Sequence, residues 1–118
     1  MISAKGFETY LESIHKATAI YMWGADCEIG TEDLLKKKIK TFGEKHYNKL
    51  TVDKIEGKIC ADCSGLFTPL SGVNITAQMY YDRCIQKGSI WQIPKNKKCL
   101  IFRKQGNGIV HVAGYLGN

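Results

Sequence analysis

The fold class of this chain is decided by residues 100–116, which read LIFRKQGNGIVHVAGYL. Two runs rich in aliphatic and aromatic residues flank residues 105–108, Gln-Gly-Asn-Gly, a sequence typical of a tight hairpin turn. We therefore predict two strands, one near 100–103 and one over 109–116. Because side chains alternate along a strand, the second strand should have two different faces. The predicted faces carry His111, Ala113 and Tyr115 on one side and Val110, Val112, Gly114 and Leu116 on the other.

The chain before this hairpin is predicted to be helical. Apolar residues at helical spacing indicate a first helix from about Ser3 to about Tyr21. A second helix is delimited by Thr31, a good N-cap residue, and by Gly43, a typical stop. Residues 44–59 are expected to be irregular, with a short helical turn near 52–53.

Two shorter helices are expected before the hairpin. Asp62 can cap one over residues 63–70, and Thr76 can cap another that ends near Gly88. The chain therefore has helices first and strands last. This order indicates the α+β class rather than alternating βαβ units.

Length and composition predict one globular domain with a modest core. The chain has 118 residues, of which 44% are hydrophobic and 24% charged. No apolar run approaches the roughly 18 residues that a membrane span requires. The first residues, Met1 to Gly6, lack the pattern of a secretory signal, so we expect another export route or a signal outside this chain.

The formal net charge of +6 favours anionic partners. Nucleic acid, anionic lipid surfaces and the anionic polymers of bacterial cell walls all attract a basic protein. Lysines concentrate in residues 36–40 and 95–98, and such runs are most often solvated faces. No aromatic residues alternate with these lysines, which argues against nucleic acid as the partner.

The chain contains an odd number of cysteines, five, so disulfides within it cannot use them all. We expect them to be reduced, with one reactive and most of the others buried as small hydrophobic residues. The reactive candidate lies in Asp62-Cys63-Ser64-Gly65, at a predicted helix start. N–H groups and the helix dipole favour a thiolate at such a position. A histidine brought beside it by folding, such as His111, could act as base and then as acid.

Four segments together resemble the NlpC family, papain-like cysteine peptidases that cut bacterial cell-wall peptides. Residues 21–24, Tyr-Met-Trp-Gly, are similar to the family's Tyr-x-Trp-Gly segment. Residues 62–66, Asp-Cys-Ser-Gly-Leu, are similar to its nucleophile motif. Residues 74–78, Asn-Ile-Thr-Ala-Gln, are similar to the segment that follows the nucleophile helix. The hairpin with His111 is similar to the paired strands that carry the family's histidine.

The resemblance implies a papain-like fold in which N-terminal helices pack on a small antiparallel sheet. It implies Cys63 as nucleophile and His111 as base, acting on an amide in the stem peptides of peptidoglycan, with no metal or organic cofactor. The implied substrate-binding residues are Tyr21, Trp23, Asp62, Ser64 and Thr76. Anionic cell-wall polymers would be further partners. The implied location is extracellular or in the cell wall, or cytoplasmic before phage lysis.

Two parts of the chain depart from the family pattern. Residues 25–58 replace a short loop, and we expect them to form an ordered helical lid or wall-contact element. The family's third catalytic residue lies on a strand that would begin after Asn118. We therefore expect these residues to lack that group, because the chain is shortened or because the group is lost. An unpaired strand edge would then favour a homodimer.

Three alternatives remain open from the sequence. Cys60, Cys63, Cys84 and Cys99 could form a four-thiolate zinc site. Cys60 and Cys63, in a Cys-x-x-Cys arrangement, could form a thioredoxin-like redox pair. The third alternative is a wall-binding module that keeps the fold without catalysis.

Overall fold

The computed structural model describes residues 3–117 and has a mixed α+β architecture. In this part of the chain, five α-helices accompany a three-stranded mixed sheet and a two-stranded antiparallel hairpin. The helices are α1 (Ala4–Lys16), α2 (Glu32–Phe42), α3 (Val52–Ile55), α4 (Thr68–Ser71) and α5 (Ala77–Asp82). The strands are β1 (Ile20–Tyr21), β2 (Asp26–Ile29), β3 (Ile59–Ala61), β4 (Cys99–Gln105) and β5 (Gly108–Tyr115). No helix among these residues is long and apolar enough to cross a bilayer.

The three-stranded sheet is the main feature that the sequence did not predict. β3 lies in its centre, parallel to β1 and antiparallel to β2. The prediction of a first helix reaching Tyr21 is wrong. Helix α1 ends at Lys16, because Thr18 adopts a positive φ of 51° that an α-helix cannot contain. The following residues Ile20 and Tyr21 pair with Cys60 and Ala61 instead.

The hairpin confirms the prediction of paired strands, and a bulge changes the predicted faces. Arg103 pairs with His111, but Lys104 pairs with Ile109, so Val110 is the extra residue. Ile109 therefore packs on the core together with Val112, while Val110 is exposed. The hairpin also forms a sheet of its own. The expected single antiparallel sheet is thus replaced by two small sheets, one of them mixed.

Several helix boundaries follow from their capping residues. The Thr31 side chain accepts a hydrogen bond from the Leu34 N–H at 3.0 Å, and Gly43 ends α2 at a φ of 95°. Thr76 likewise caps α5, which ends at Asp82 rather than near Gly88. The helix expected over 63–70 is broken into a 3₁₀ turn (Gly65–Phe67) and α4. Pro69 is the local reason, because it has no N–H for the helical ladder.

Two clusters of buried side chains form the interior. The first contains Met22, Ala25, Leu34, Leu35, Tyr47, Ile55 and Cys60. The second contains Phe67, Ala77, Tyr80 and Val112, with Cys63 partly buried against it. The segment expected to be a lid, residues 25–58, is ordered and supplies most of the first cluster. It is therefore part of the core, whatever its outer face binds.

Candidate active site around Cys63

Cys63 opens a helical turn immediately after the central strand β3. The Leu66 N–H donates to the Asp62 carbonyl at 3.1 Å, and the Gly65 N–H donates to the Asp62 carboxylate at 2.7 Å. Asp62 is therefore the cap of the turn, as its position in the sequence predicts. The Cys63 thiol is free and half-buried, so it is held by packing yet open to solvent on one side.

Asp62 also joins this turn to the segment containing Tyr21. Its second carboxylate oxygen accepts a hydrogen bond from the Gly24 N–H at 3.0 Å, and its own N–H donates to the Ala25 carbonyl at 3.0 Å. A Cβ atom on Gly65 would lie 2.0 Å from that same carbonyl oxygen. The close approach explains why the turn needs glycine at position 65. The segments 21–24 and 62–65 are thus in direct contact.

Tyr21 lies within electrostatic reach of the nucleophile candidate. Partial burial raises the pKa of the Tyr21 hydroxyl, and negative charge at Cys63 and at Asp62 raises it further. The ring is otherwise well exposed. A raised pKa keeps the hydroxyl protonated, so Tyr21 can donate a hydrogen bond beside Cys63.

Trp23 adds a second aromatic side chain on the same segment. Its ring stacks on His46 at a centroid distance of 4.5 Å and an interplanar angle of 5°. Its carbonyl accepts a hydrogen bond from the Tyr47 hydroxyl at 2.8 Å. The polar residues around His46 in the sequence indicate only a surface position for it. Its contact with Trp23 joins residues far apart in the chain, and no sequence pattern indicates it.

A polar contact connects the third motif with the segment 25–58. The Asn74 side-chain N–H donates to the Asp26 carboxylate at 2.7 Å. Partial burial raises the pKa of the Asp26 carboxyl, the neighbouring Asp62 charge raises it further, and Lys38 opposes the rise. Lys38 itself forms an ion pair with Glu28 at 3.0 Å. Asp26 is therefore a partly desolvated carboxyl beside the site, a position that its sequence context did not indicate.

His111 lies on the hairpin, exposed and opposite Arg103. Its neighbour Val112 is buried in the cluster against which Cys63 packs. Within residues 3–117, no hydrogen bond or ion pair joins His111 to Cys63, or to an Asp, Asn, Gln or His that could orient its ring. The catalytic pair consequently stays a prediction.

The remaining predicted site residues have structural contacts. The Ser64 hydroxyl donates to the Asp62 carboxylate at 3.4 Å. The Thr76 hydroxyl accepts from the Met79 N–H at 3.2 Å as the cap of α5. The structure thus brings together Tyr21, Trp23, Asp62, Cys63 and Ser64. It gives no contact that joins Thr76 or His111 to them.

The other cysteines occupy separate environments, and the expectation that most of them are buried is wrong. Cys60 is buried, whereas Cys27, Cys84 and Cys99 are half-buried. Cys60 is fully buried in the first cluster, whereas Cys63 packs on the second. The Cys27 thiol lies 3.1 Å from the Tyr10 hydroxyl, and partial burial raises the pKa of both groups. No group of three or more His, Cys, Asp or Glu side chains suited to a metal ion occurs among the described residues. Nothing in this geometry favours the zinc alternative.

Comparisons of this chain with protein families, curated proteins and solved structures found no match. Functional assignment therefore depends on the local geometry and on the motifs. The geometry around Cys63 is the most developed site in the described part of the chain. It combines a free, half-buried thiol at the start of a helical turn with the exposed ring of Tyr21, whose hydroxyl pKa is raised.

Proposed function

We propose that this chain is a cysteine peptidase of the NlpC type, with a papain-like fold. Its substrate would be an amide bond in the peptide part of bacterial peptidoglycan, at or outside the cell wall. The observation that carries the proposal is the contact between the two motifs. Asp62 bonds the Gly24 N–H with one oxygen and the Gly65 N–H with the other, beside the free thiol of Cys63.

In the proposed reaction the Cys63 thiolate attacks the amide carbonyl carbon. The N–H groups of Cys63 and Ser64 donate to no protein group within residues 3–117, so they are available for the oxyanion. His111 would protonate the leaving amine as the C–N bond breaks, which leaves a thioester on Cys63. Water activated by His111 would then hydrolyse the thioester, releasing the acid and restoring the thiol.

The surroundings of Cys63 suit a peptide substrate. Tyr21 exposes an aromatic ring within electrostatic reach of the thiol, and Trp23 exposes a second ring on the same segment. A stem peptide could pack against such flat apolar surfaces. The Tyr21 hydroxyl, kept protonated by its raised pKa, could donate to a substrate carbonyl.

The deciding experiment is digestion of purified sacculi, with the released fragments identified by mass spectrometry. Cys63→Ala should abolish release. Cys84→Ala is the matched control, because Cys84 is also half-buried and lies outside the site. Release by Cys63→Ala at the wild-type rate would reject the peptidase proposal. Wall binding without release by the wild type would favour a non-catalytic module.

The role of His111 needs a test of its own. His111→Ala should lower the release rate by about 100-fold or more, the usual effect of losing a general base. His15→Ala is the control, since His15 is an exposed histidine on α1. The same variants should be compared for iodoacetamide labelling of Cys63, which should slow only in His111→Ala. Equal behaviour of the two variants would remove His111 from the mechanism.

A further inference from the structure

The net positive charge of this protein arises from its last third. Residues 83–118 contain seven Lys and Arg and no Asp or Glu, whereas residues 1–82 contain ten Lys and eleven acidic residues. The part of the chain that includes α1, α2 and the three-stranded sheet is therefore close to neutral. The basic part includes the hairpin and the loop that connects α5 with β4.

That connecting loop, residues 83–98, also carries the two most exposed large apolar side chains of the described residues, Ile85 and Trp91. Ile85 is fully exposed, Trp91 is 92% exposed and Ile90 is 54% exposed. They fall within an uninterrupted run of exposed residues, 85–92. By comparison, Trp23 is 44% exposed and stacks on His46. Apolar side chains concentrated on one protruding loop are typical of an interaction site.

The loop has a defined local structure. Ile90–Gln92 form a 3₁₀ turn, and the Ser89 N–H donates to the Gln92 side chain at 3.0 Å in a capping box. Lys87 donates to the Cys84 carbonyl at 2.9 Å and lies 5.1 Å from the centre of the Tyr81 ring. Trp91 is therefore presented by a folded turn, which lowers the entropy cost of binding.

We propose that the 83–98 loop docks this protein on a bilayer surface rich in anionic lipids. Trp91, Ile85 and Ile90 would enter the interfacial layer. Arg83, Lys87, Lys95 and Lys97 would lie among the headgroups, where each basic residue near the surface adds attraction. Tryptophan suits this layer because its ring is apolar and its N–H is polar. This inference is independent of the proposed peptidase function.

The chemistry of the loop favours a bilayer over other anionic partners. A cell-wall polymer or a nucleic acid could pair with the lysines, but neither offers an apolar layer for the aliphatic Ile85. A protein partner would need a pocket shaped for each protruding side chain, because Ile85 and Trp91 are almost free of contacts with this chain. An interfacial layer accepts such side chains without a matched shape.

Vesicle sedimentation tests the proposal directly. The protein should bind vesicles of phosphatidylcholine mixed with phosphatidylglycerol more tightly than vesicles of phosphatidylcholine alone, and binding should weaken as salt is added. Trp91→Ala should weaken binding about tenfold, since a buried aromatic side chain contributes on that scale. Ile90→Ala should also weaken binding. Its matched control is Ile29→Ala, because Ile29 is similarly exposed, 57%, but lies on β2.

A charge series separates the lysines of the loop from those elsewhere. Lys95→Gln with Lys97→Gln should weaken binding to the anionic vesicles by about tenfold or more. Lys37→Gln with Lys40→Gln removes the same charge from exposed positions on α2 and should have a much smaller effect. Equal losses in the two pairs would show that net charge, and not this loop, drives binding.

Two single-tryptophan variants report which surface touches the lipid. Trp23→Phe leaves Trp91 as reporter, and its emission should shift to the blue on adding anionic vesicles. Trp91→Phe leaves Trp23, and its emission should not shift. The proposal fails if no vesicle binding occurs or if Trp23 responds instead. It also fails if Trp91 shifts on raising the protein concentration alone, which would indicate a second copy on the loop.

Discussion

The two core clusters differ in how completely they are closed. The first, between the three-stranded sheet and helices α2 and α3, contains four residues with no exposed surface: Met22, Ala25, Ile55 and Cys60. In the second, beneath the hairpin, Val112 comes nearest to full burial and many of its partners are only partly buried. The first region is therefore a rigid support, and the second is an open surface that carries Cys63.

Cys63 lies where these regions meet. Its backbone is fixed to the first through Asp62, which bonds Gly24 and Ala25. Its side chain packs on the second cluster. The candidate thiol is thus held by the closed region and exposed by the open one. We therefore expect the stability of the protein to depend mainly on the first cluster. The geometry of the site should depend on the contacts that join the first cluster to the second.

The largest expected effect is on the first cluster. Ile55→Ala should lower the free energy of unfolding by about 3–4 kcal/mol, because the site is closed on all sides and cannot collapse easily. Val112→Ala should cost about 2 kcal/mol, because Val loses fewer carbon atoms than Ile and many residues around Val112 are only partly buried. Urea unfolding followed by circular dichroism measures both.

The control for this pair is Ile85→Ala, an isoleucine that is fully exposed. It should change stability by less than about 0.5 kcal/mol. A larger loss from Val112→Ala than from Ile55→Ala would contradict the view that the first cluster is the support.

The second prediction concerns the close approach between Gly65 and Ala25, the residue that precedes β2. Gly65→Ala should cost about 3 kcal/mol, because the new methyl group meets the Ala25 carbonyl, a backbone atom that cannot rotate away. Gly108→Ala is the matched control. Neither glycine has a positive φ, and a Cβ at 108 would meet only ordinary contacts. Equal melting temperatures for the two variants would show that the turn can move away from Ala25 without loss of stability.

Local signals in the sequence were sufficient for some elements of the fold. Capping by Thr31 and Thr76, the stop at Gly43 and the turn near 105–108 all act on residues within one or two turns of themselves. The three-stranded sheet has no such signal. Its strands have two to four residues, too few to show alternation, and β1 pairs with a strand about 40 residues away.

In the site too, features set by neighbouring residues could be predicted, whereas contacts between segments far apart in the chain could not. The capping role of Asp62 follows from its place before a helical turn, and the structure agrees. The bond from Asp62 to Gly24, the stacking of Trp23 on His46 and the bond from Asn74 to Asp26 could not be predicted, because each joins distant segments without a repeating pattern. The catalytic roles of Cys63 and His111 stay predictions.

The third prediction tests the link between the regions. Asp62→Ala leaves the Gly24 and Gly65 N–H groups without their acceptor and should cost about 2 kcal/mol. It should also change the labelling rate of Cys63 by iodoacetamide, because the turn loses its cap. Glu12→Ala, at an exposed position on α1, should change neither quantity. Unchanged stability and labelling in Asp62→Ala would mean that packing and the backbone bond from residue 62 to Ala25 are enough to hold the junction.

The smallest change in stability is expected from a substitution of Asp26, and the change should depend on pH. Its pKa in the folded protein is raised by partial burial and by Asp62, so ionisation costs the folded state more than the unfolded one. That cost appears as the pH rises through the ordinary carboxyl range, about 4, and persists at neutral pH. Asp26→Asn should therefore be more stable than the wild type at pH 7.5. Because Asp26 is partly solvated, the gain should stay within about 1 kcal/mol, and it should vanish near pH 3.

Asp53 is the control of opposite sign, since the Thr51 side chain lowers its carboxyl pKa and an ionised Asp53 stabilises the folded state. Asp53→Asn should be the less stable variant at pH 7.5, and its loss should fade as the pH falls and the wild-type carboxylate becomes protonated. Urea midpoints at pH 7.5, 5.5 and 3.5 measure both differences. A destabilising Asp26→Asn at pH 7.5 would show that the ionised carboxyl stabilises the folded state, and a difference independent of pH would show that folding does not shift its pKa. Either result would contradict a cost of ionisation from burial and from the Asp62 charge.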